Sequence, residues 1–127
     1  MNRHAAREKA FQAIFQMDLN EMTAEEAIGN VSEDEPVHDA FLNQLVTGVV
    51  EYRDEIDQKI SDHLEKWSFE RIASVEKTLL RLATYELTYE GDIPEKVTLN
   101  EAIELAKAFG DDKSGSFVNG VLKKMLK

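Results

Sequence analysis

Four residues near the N-terminus, Arg3, Arg7, Phe11 and Phe15, recur at every fourth position and would share one line along a helix. Two guanidinium groups above two aromatic rings make a surface that can bind phosphates and stack on bases or on a protein partner. The same spacing also fits a plainer arrangement, with both rings in the core and both arginines solvated. Phe11 suits that arrangement better than Phe15.

The distribution of charge bears on the choice. The net charge is −10 over 127 residues, which by itself opposes nucleic-acid binding, since phosphates call for clustered Lys and Arg. Residues 1–17, however, carry Arg3, Arg7 and Lys9 against Glu8, a local +2. Residues 113–127 carry Lys113, Lys123, Lys124 and Lys127, a local +4, which leaves −16 for the middle of the chain. If the two ends met in the fold, a basic face would sit on an acidic body. Lysines near the end of a helix also complement its dipole, so both readings stand.

Little in the sequence suggests catalysis. His4, His38 and His63 are far apart, and none has a second histidine three or four residues on, as a helical metal pair requires. The acidic run Glu33-Asp-Glu35 reads as a solvated loop. The six glycines are dispersed rather than grouped into a phosphate-binding loop, and Ser114-Gly-Ser116 lacks the strand that a nucleophile elbow needs. There is no cysteine, which excludes disulfides and thiolate chemistry and suits a reducing, cytoplasmic setting. No apolar run approaches the ~20 residues of a membrane span, and the charged N-terminus is unlike a secretory signal. The expectation is a binding protein, with no enzymatic activity, no metal and no cofactor.

The elements that must position these residues are helical throughout. The spacing predicts a first helix from Arg3 to Met17, burying Ala6, Ala10, Ala13, Ile14 and Met17. Thr23-Ala-Glu-Glu26 has the form of a capping box and predicts a second helix ending at Gly29-Asn30. A loop from Ser32 to Pro36 follows. From Val37, a broad apolar face runs through Phe41, Leu42, Leu45, Val46, Val49 and Val50, with Gly48 implying a close packing contact. It continues through Ile56, Ile60, Leu64 and Trp67, after a bend near Arg53-Asp54. Ile72 to Tyr89 is apolar on more than one side, which predicts the central helix of a bundle. Gly91 and Pro94 follow it, Thr98-Leu-Asn-Glu101 predicts the next helix start, and Gly110 a C-terminal cap. A last helix carries Phe117, Val118, Val121, Leu122, Met125 and Leu126. The fold class is all-α, about seven helices in one domain of residues 1–127.

The runs Val75-Glu-Lys-Thr-Leu-Leu-Arg-Leu-Ala-Thr-Tyr-Glu-Leu87, Asn100-Glu-Ala-Ile-Glu-Leu-Ala106 and Phe117-Val-Asn-Gly120 resemble the bacterial transcription antitermination factor NusB family. The opening Ala6-Arg-Glu-Lys-Ala-Phe-Gln-Ala-Ile-Phe-Gln16 and the stretch from Phe41 to Gly48 are similar as well, so the resemblance covers the chain in order. It implies two packed helical subdomains, about 1–67 and 68–127. It implies binding of boxA RNA together with ribosomal protein NusE, in a complex with RNA polymerase and other Nus factors that supports ribosomal RNA transcription. Some members of the family form homodimers that hide the RNA face.

On that resemblance the RNA-binding residues are Arg3, His4, Arg7, Lys9, Gln12, Phe109 and Lys113. Cations for phosphates, an amide for a base edge and an aromatic platform are what single-stranded RNA requires. The protein-partner residues are Phe15, Leu19, Glu70 and Glu76, an acidic and apolar set suited to a basic ribosomal protein. The alternative function is a helical protein–protein interaction module without an RNA role. The basic chain ends are expected to converge into one patch.

Overall fold

The computed structural model describes residues 1–32 and 39–126. The stretch 33–38, with its acidic run, most of the expected loop, Val37 and His38, lies outside the described residues, as does Lys127. Among the described residues there are seven α-helices and no strand: α1 (Arg3–Leu19), α2 (Ala24–Val31), α3 (Ala40–Glu51), α4 (Arg53–Asp62), α5 (Ser74–Tyr89), α6 (Glu95–Phe109) and α7 (Ser114–Met125). A short 3₁₀ turn, Phe69–Arg71, leads into α5.

Side-chain caps start the first three of these helices. Asn2 caps α1, its Oδ1 accepting from the Ala5 amide at 2.8 Å. Thr23 and Glu26 form the reciprocal capping box expected of them, and Asp39 caps α3 through the Leu42 amide. The break expected near Arg53-Asp54 falls at Tyr52, which ends α3 and opens α4.

The centre of the bundle is α5. Its residues 78–86 are all buried, and it packs against α1, α3, α4, α6 and α7. Gly48 of α3 lies against it, and a Cβ at that position would overlap the ring of Tyr85. That overlap is the close contact the glycine implied. The Tyr85 hydroxyl donates to Glu90 at 2.7 Å, and burial, then Glu90, push its pKa up to about 12.

Three expectations fail for identifiable reasons. Val50 is 43% exposed, because it lies about 100° round α3 from the buried Val49. Trp67 does not continue the apolar face of α4, because α4 ends at Asp62 and leaves the indole 60% exposed. Nor does Thr98 begin α6. The helix starts at Glu95, directly after Pro94, so Thr98 falls one turn inside it, where its hydroxyl donates to the buried Glu86 at 3.0 Å.

Candidate nucleic-acid interface

The row Arg3, Arg7, Phe11 and Phe15 exists, but its members do different work. Arg3 is exposed, its guanidinium 4.3 Å above the ring of Phe41 on α3. Arg7 is 3% exposed and lies in the interior. Its Nε and Nη2 donate to the two oxygens of Glu86 on α5 at 2.8 and 2.9 Å, and its Nη1 reaches Glu101 on α6 at 3.5 Å. Burial alone would lower its pKa, but the bonds and charge of Glu86 outweigh that and raise it. The expectation of Arg7 as a phosphate contact is therefore corrected. A bidentate pair in the core occupies the guanidinium.

Phe11 is core as well, 2% exposed and stacked between Phe15 at 5.7 Å and Phe109 at 4.5 Å. Its two stacking neighbours remain half-buried. They border an open groove of about 420 Å³ among α1, α2 and the ends of α5 and α6, lined also by Lys9, Gln12, Asn30 and Val75. Four expected site residues thus meet here: Lys9, Gln12 and Phe109 from the RNA set, Phe15 from the partner set.

A second groove, of about 350 Å³, holds Lys113 beside Trp67, Arg71, Phe117 and Glu76. Val75 and Glu76 are consecutive, so the first turn of α5 supplies a wall to each groove. Glu76 accepts from the Ser114 hydroxyl at 2.5 Å. Glu70 is exposed on the 3₁₀ turn, and Leu19, 57% exposed, ends α1. The two expected sets are interleaved, with one partner residue in each groove.

His4 stands apart from both grooves. Its Nδ1 lies 2.9 Å from Glu101 and its Nε2 3.7 Å from Glu8. The hydrogen bond to Glu101, then that carboxylate's charge, raises its pKa above the ordinary 6.5.

Among the described residues the basic ends do not merge into one patch. Arg7 of α1 bonds to Glu86 of α5, while Met125 at the end of α7 meets Thr84. Two residues turn a helix by about 200°, so α1 and the end of α7 lie on opposite sides of α5. Lys124 pairs there with Glu65 at 3.1 Å. Lys113, at the other end of α7, lies near Glu76 at the start of α5, with Lys123 about 15 Å further along that helix.

Sequence reasoning missed Glu86 and Arg81. Arg81 is 4% exposed and bonded to Asp57 and Asp18 at 2.8 and 3.0 Å, which ties α4 and the end of α1 to α5. The available signal was their location. A helix apolar on nearly every side buries whatever charge it carries, and a buried charge requires an opposite one.

Among the described residues no group of three or more His, Asp or Glu side chains is placed to hold a metal ion. No helix among them is long and apolar enough to cross a membrane. The model of the NusB family matches residues 4–127. The chain belongs to the NusB family.

Its relatives match over nine-tenths or more of both chains. The transcription antitermination protein NusB of Oceanobacillus iheyensis is 57% identical over 126 residues, 99% of each chain. That of Bacillus subtilis is 53% identical over 122 residues, 96% of this chain and 92% of its own. Among solved structures, T. maritima NusB superposes with a TM-score of 0.90 at 38% identity, covering 98% of this chain and 90% of that one. A chain from a crystal structure of antitermination factors NusB and NusE in complex with double-stranded RNA gives 0.88 at 31% identity, covering 97% and 94%. These NusB structures share the all-helical fold described above.

Proposed function

We propose that this chain is a transcription antitermination factor that binds boxA RNA together with NusE and supports ribosomal RNA transcription. It does so in the cytoplasm, in a complex with RNA polymerase and other Nus factors, and works by binding rather than by turnover. Membership of the NusB family supports this reading, as does a relative crystallised with NusE and RNA. The observation that carries it to particular residues is the α1–α6 groove, where Lys9, Gln12 and the half-buried rings of Phe15 and Phe109 border one opening. A cation for phosphate, an amide for a base edge and the Phe109 ring for stacking fit a splayed single strand. Lys113 and exposed Arg3 extend the cationic set, and His4 adds charge when protonated. The partner residues are Phe15, Leu19, Glu70 and Glu76, and the subdomains are 1–67 and 68–127.

An electrophoretic titration of boxA RNA, with and without NusE at two salt concentrations, tests the reading. NusE is expected to tighten binding. Lys9→Ala is expected to weaken it and to reduce the salt slope by about 0.7, the contribution of one phosphate contact on a single strand. RNA left unshifted in both arms, with NusE nonetheless bound, would overturn the RNA role and favour the interaction module.

A further inference from the structure

Within the second groove, one hydroxyl links Glu76 to the loop that carries Lys113. Ser114 is 1% exposed. Its Oγ lies 2.5 Å from Oε2 of Glu76, 3.0 Å from the amide nitrogen of Asp111 and 3.2 Å from Oδ1 of Asp111. A serine has one proton to donate, and Glu76 is the nearer acceptor. Ser114 therefore donates to Glu76 and accepts from the Asp111 amide. The Asp111 carboxylate in turn accepts from the amides of Lys113 and Ser114, at 2.8 and 3.1 Å. The result is an unbroken chain of hydrogen bonds from the Glu76 carboxylate, through one buried oxygen, to the backbone that carries Lys113.

Gly110 makes room for it. A Cβ at position 110 would overlap the Ser114 hydroxyl and come within 2.9 Å of the Ala106 carbonyl. The φ of Gly110 is −107°, which any residue adopts, so close approach and not backbone conformation calls for glycine here. Gly110 is thus matched to the serine four residues later.

We propose that Ser114 is a positioning residue that couples the protein-partner contact at Glu76 to the RNA contact at Lys113. The proposal rests on the roles given to those two residues above. When a basic partner approaches Glu76, the carboxylate must keep, share or turn its bond to Ser114. The same oxygen, on a residue 1% exposed, holds the Asp111 amide. Each choice at Glu76 therefore shifts the preferred arrangement of residues 111–113. Sites joined in this way bias one another, and the bias is reciprocal.

The test measures a ratio. Affinity for labelled boxA RNA is determined with and without saturating NusE, and affinity for NusE with and without RNA, in the native chain and in Ser114→Ala. The native chain is expected to show a coupling factor of about 5–150, equal in the two directions. In Ser114→Ala both factors are expected to fall toward one. A merely structural role would weaken both affinities and leave the ratio intact, and that result overturns the proposal. Gly110→Ala, which displaces the hydroxyl without removing it, is expected to act in the same direction.

Amide exchange in the native chain gives a readout that needs no variant. NusE is expected to change the protection of the Asp111 and Lys113 amides, and unchanged protection counts against the coupling. A native chain that binds neither RNA nor NusE overturns the underlying reading. A native chain whose coupling survives loss of the hydroxyl overturns only the role of Ser114.

Discussion

Replacing Arg7 with alanine distinguishes an interior arginine from an RNA-facing one. The guanidinium donates twice to Glu86, a carboxylate 2% exposed whose other bonded neighbour is the Thr98 hydroxyl. Arg7→Ala leaves that charge in the core without its cation, which costs about 3–5 kcal/mol. With an unfolding entropy of about 2.1 cal/mol/K per residue, a chain of 127 residues has about 0.27 kcal/mol/K. The melting temperature should therefore fall by about 11–19 °C. Arg3→Ala is the matched control. It removes an exposed cation over Phe41, an interaction worth about 0.5–1 kcal/mol, and should shift melting by about 2–4 °C. Scanning calorimetry at pH 7 reads both. An Arg7→Ala chain that melts no lower than Arg3→Ala would refute the argument, because Glu86 would then be stable without its partner.

Other consequences follow from single contacts. Gly48→Ala places a methyl group in the Tyr85 ring and should destabilise the chain by about 1–3 kcal/mol, seen as a lower urea midpoint with an unchanged m-value. His4 should titrate above 6.5 by NMR and move back toward that value in Glu101→Gln. Because its folded pKa is the higher one, its stabilising contribution is complete below the unfolded value and is lost as pH rises through the folded one. A His4 titration that Glu101→Gln leaves in place would show that the 2.9 Å contact is not its cause.

Helical spacing conveys which residues turn inward, and it served well where burial is apolar. Ala6, Ala10, Ala13 and Ile14 on α1 and Val118, Val121 and Leu122 on α7 are all buried as their spacing predicts. Spacing does not convey where a helix stops, so it carries Trp67 onto a face that ends five residues before it. It also fails for charge. Arg7 looks the same in sequence as Arg3, and the difference between them is made by Glu86, 79 residues away. Thr98-Leu-Asn-Glu101 has the letters of a capping box, yet both of its polar ends serve that same interior network: Thr98 bonds to Glu86, and Glu101 to Arg7 and His4. A local motif was matched by residues that a long-range network had already claimed.

That network alters how an acidic protein can hold RNA. Arg7 and Arg81 are neutralised in the core, Arg53 is paired with Asp18, and Lys107 and Lys124 with Glu104 and Glu65. Charge counted from the sequence at the two ends therefore overstates what reaches a phosphate. Arg3, Lys9 and Lys113 bring cations to the RNA surface proposed here, and affinity that rests on phosphate neutralisation scales with that count. A chain with so small a set gains most from stacking and base-edge contacts, which depend on shape and not on net charge. Its surplus of carboxylates, Glu70 and Glu76 among them, suits a basic protein partner instead. The same partner would bring its own cations to the RNA. On this account the acidic body is the means by which the RNA-binding surface is completed, since it recruits the charge that the chain itself keeps inside.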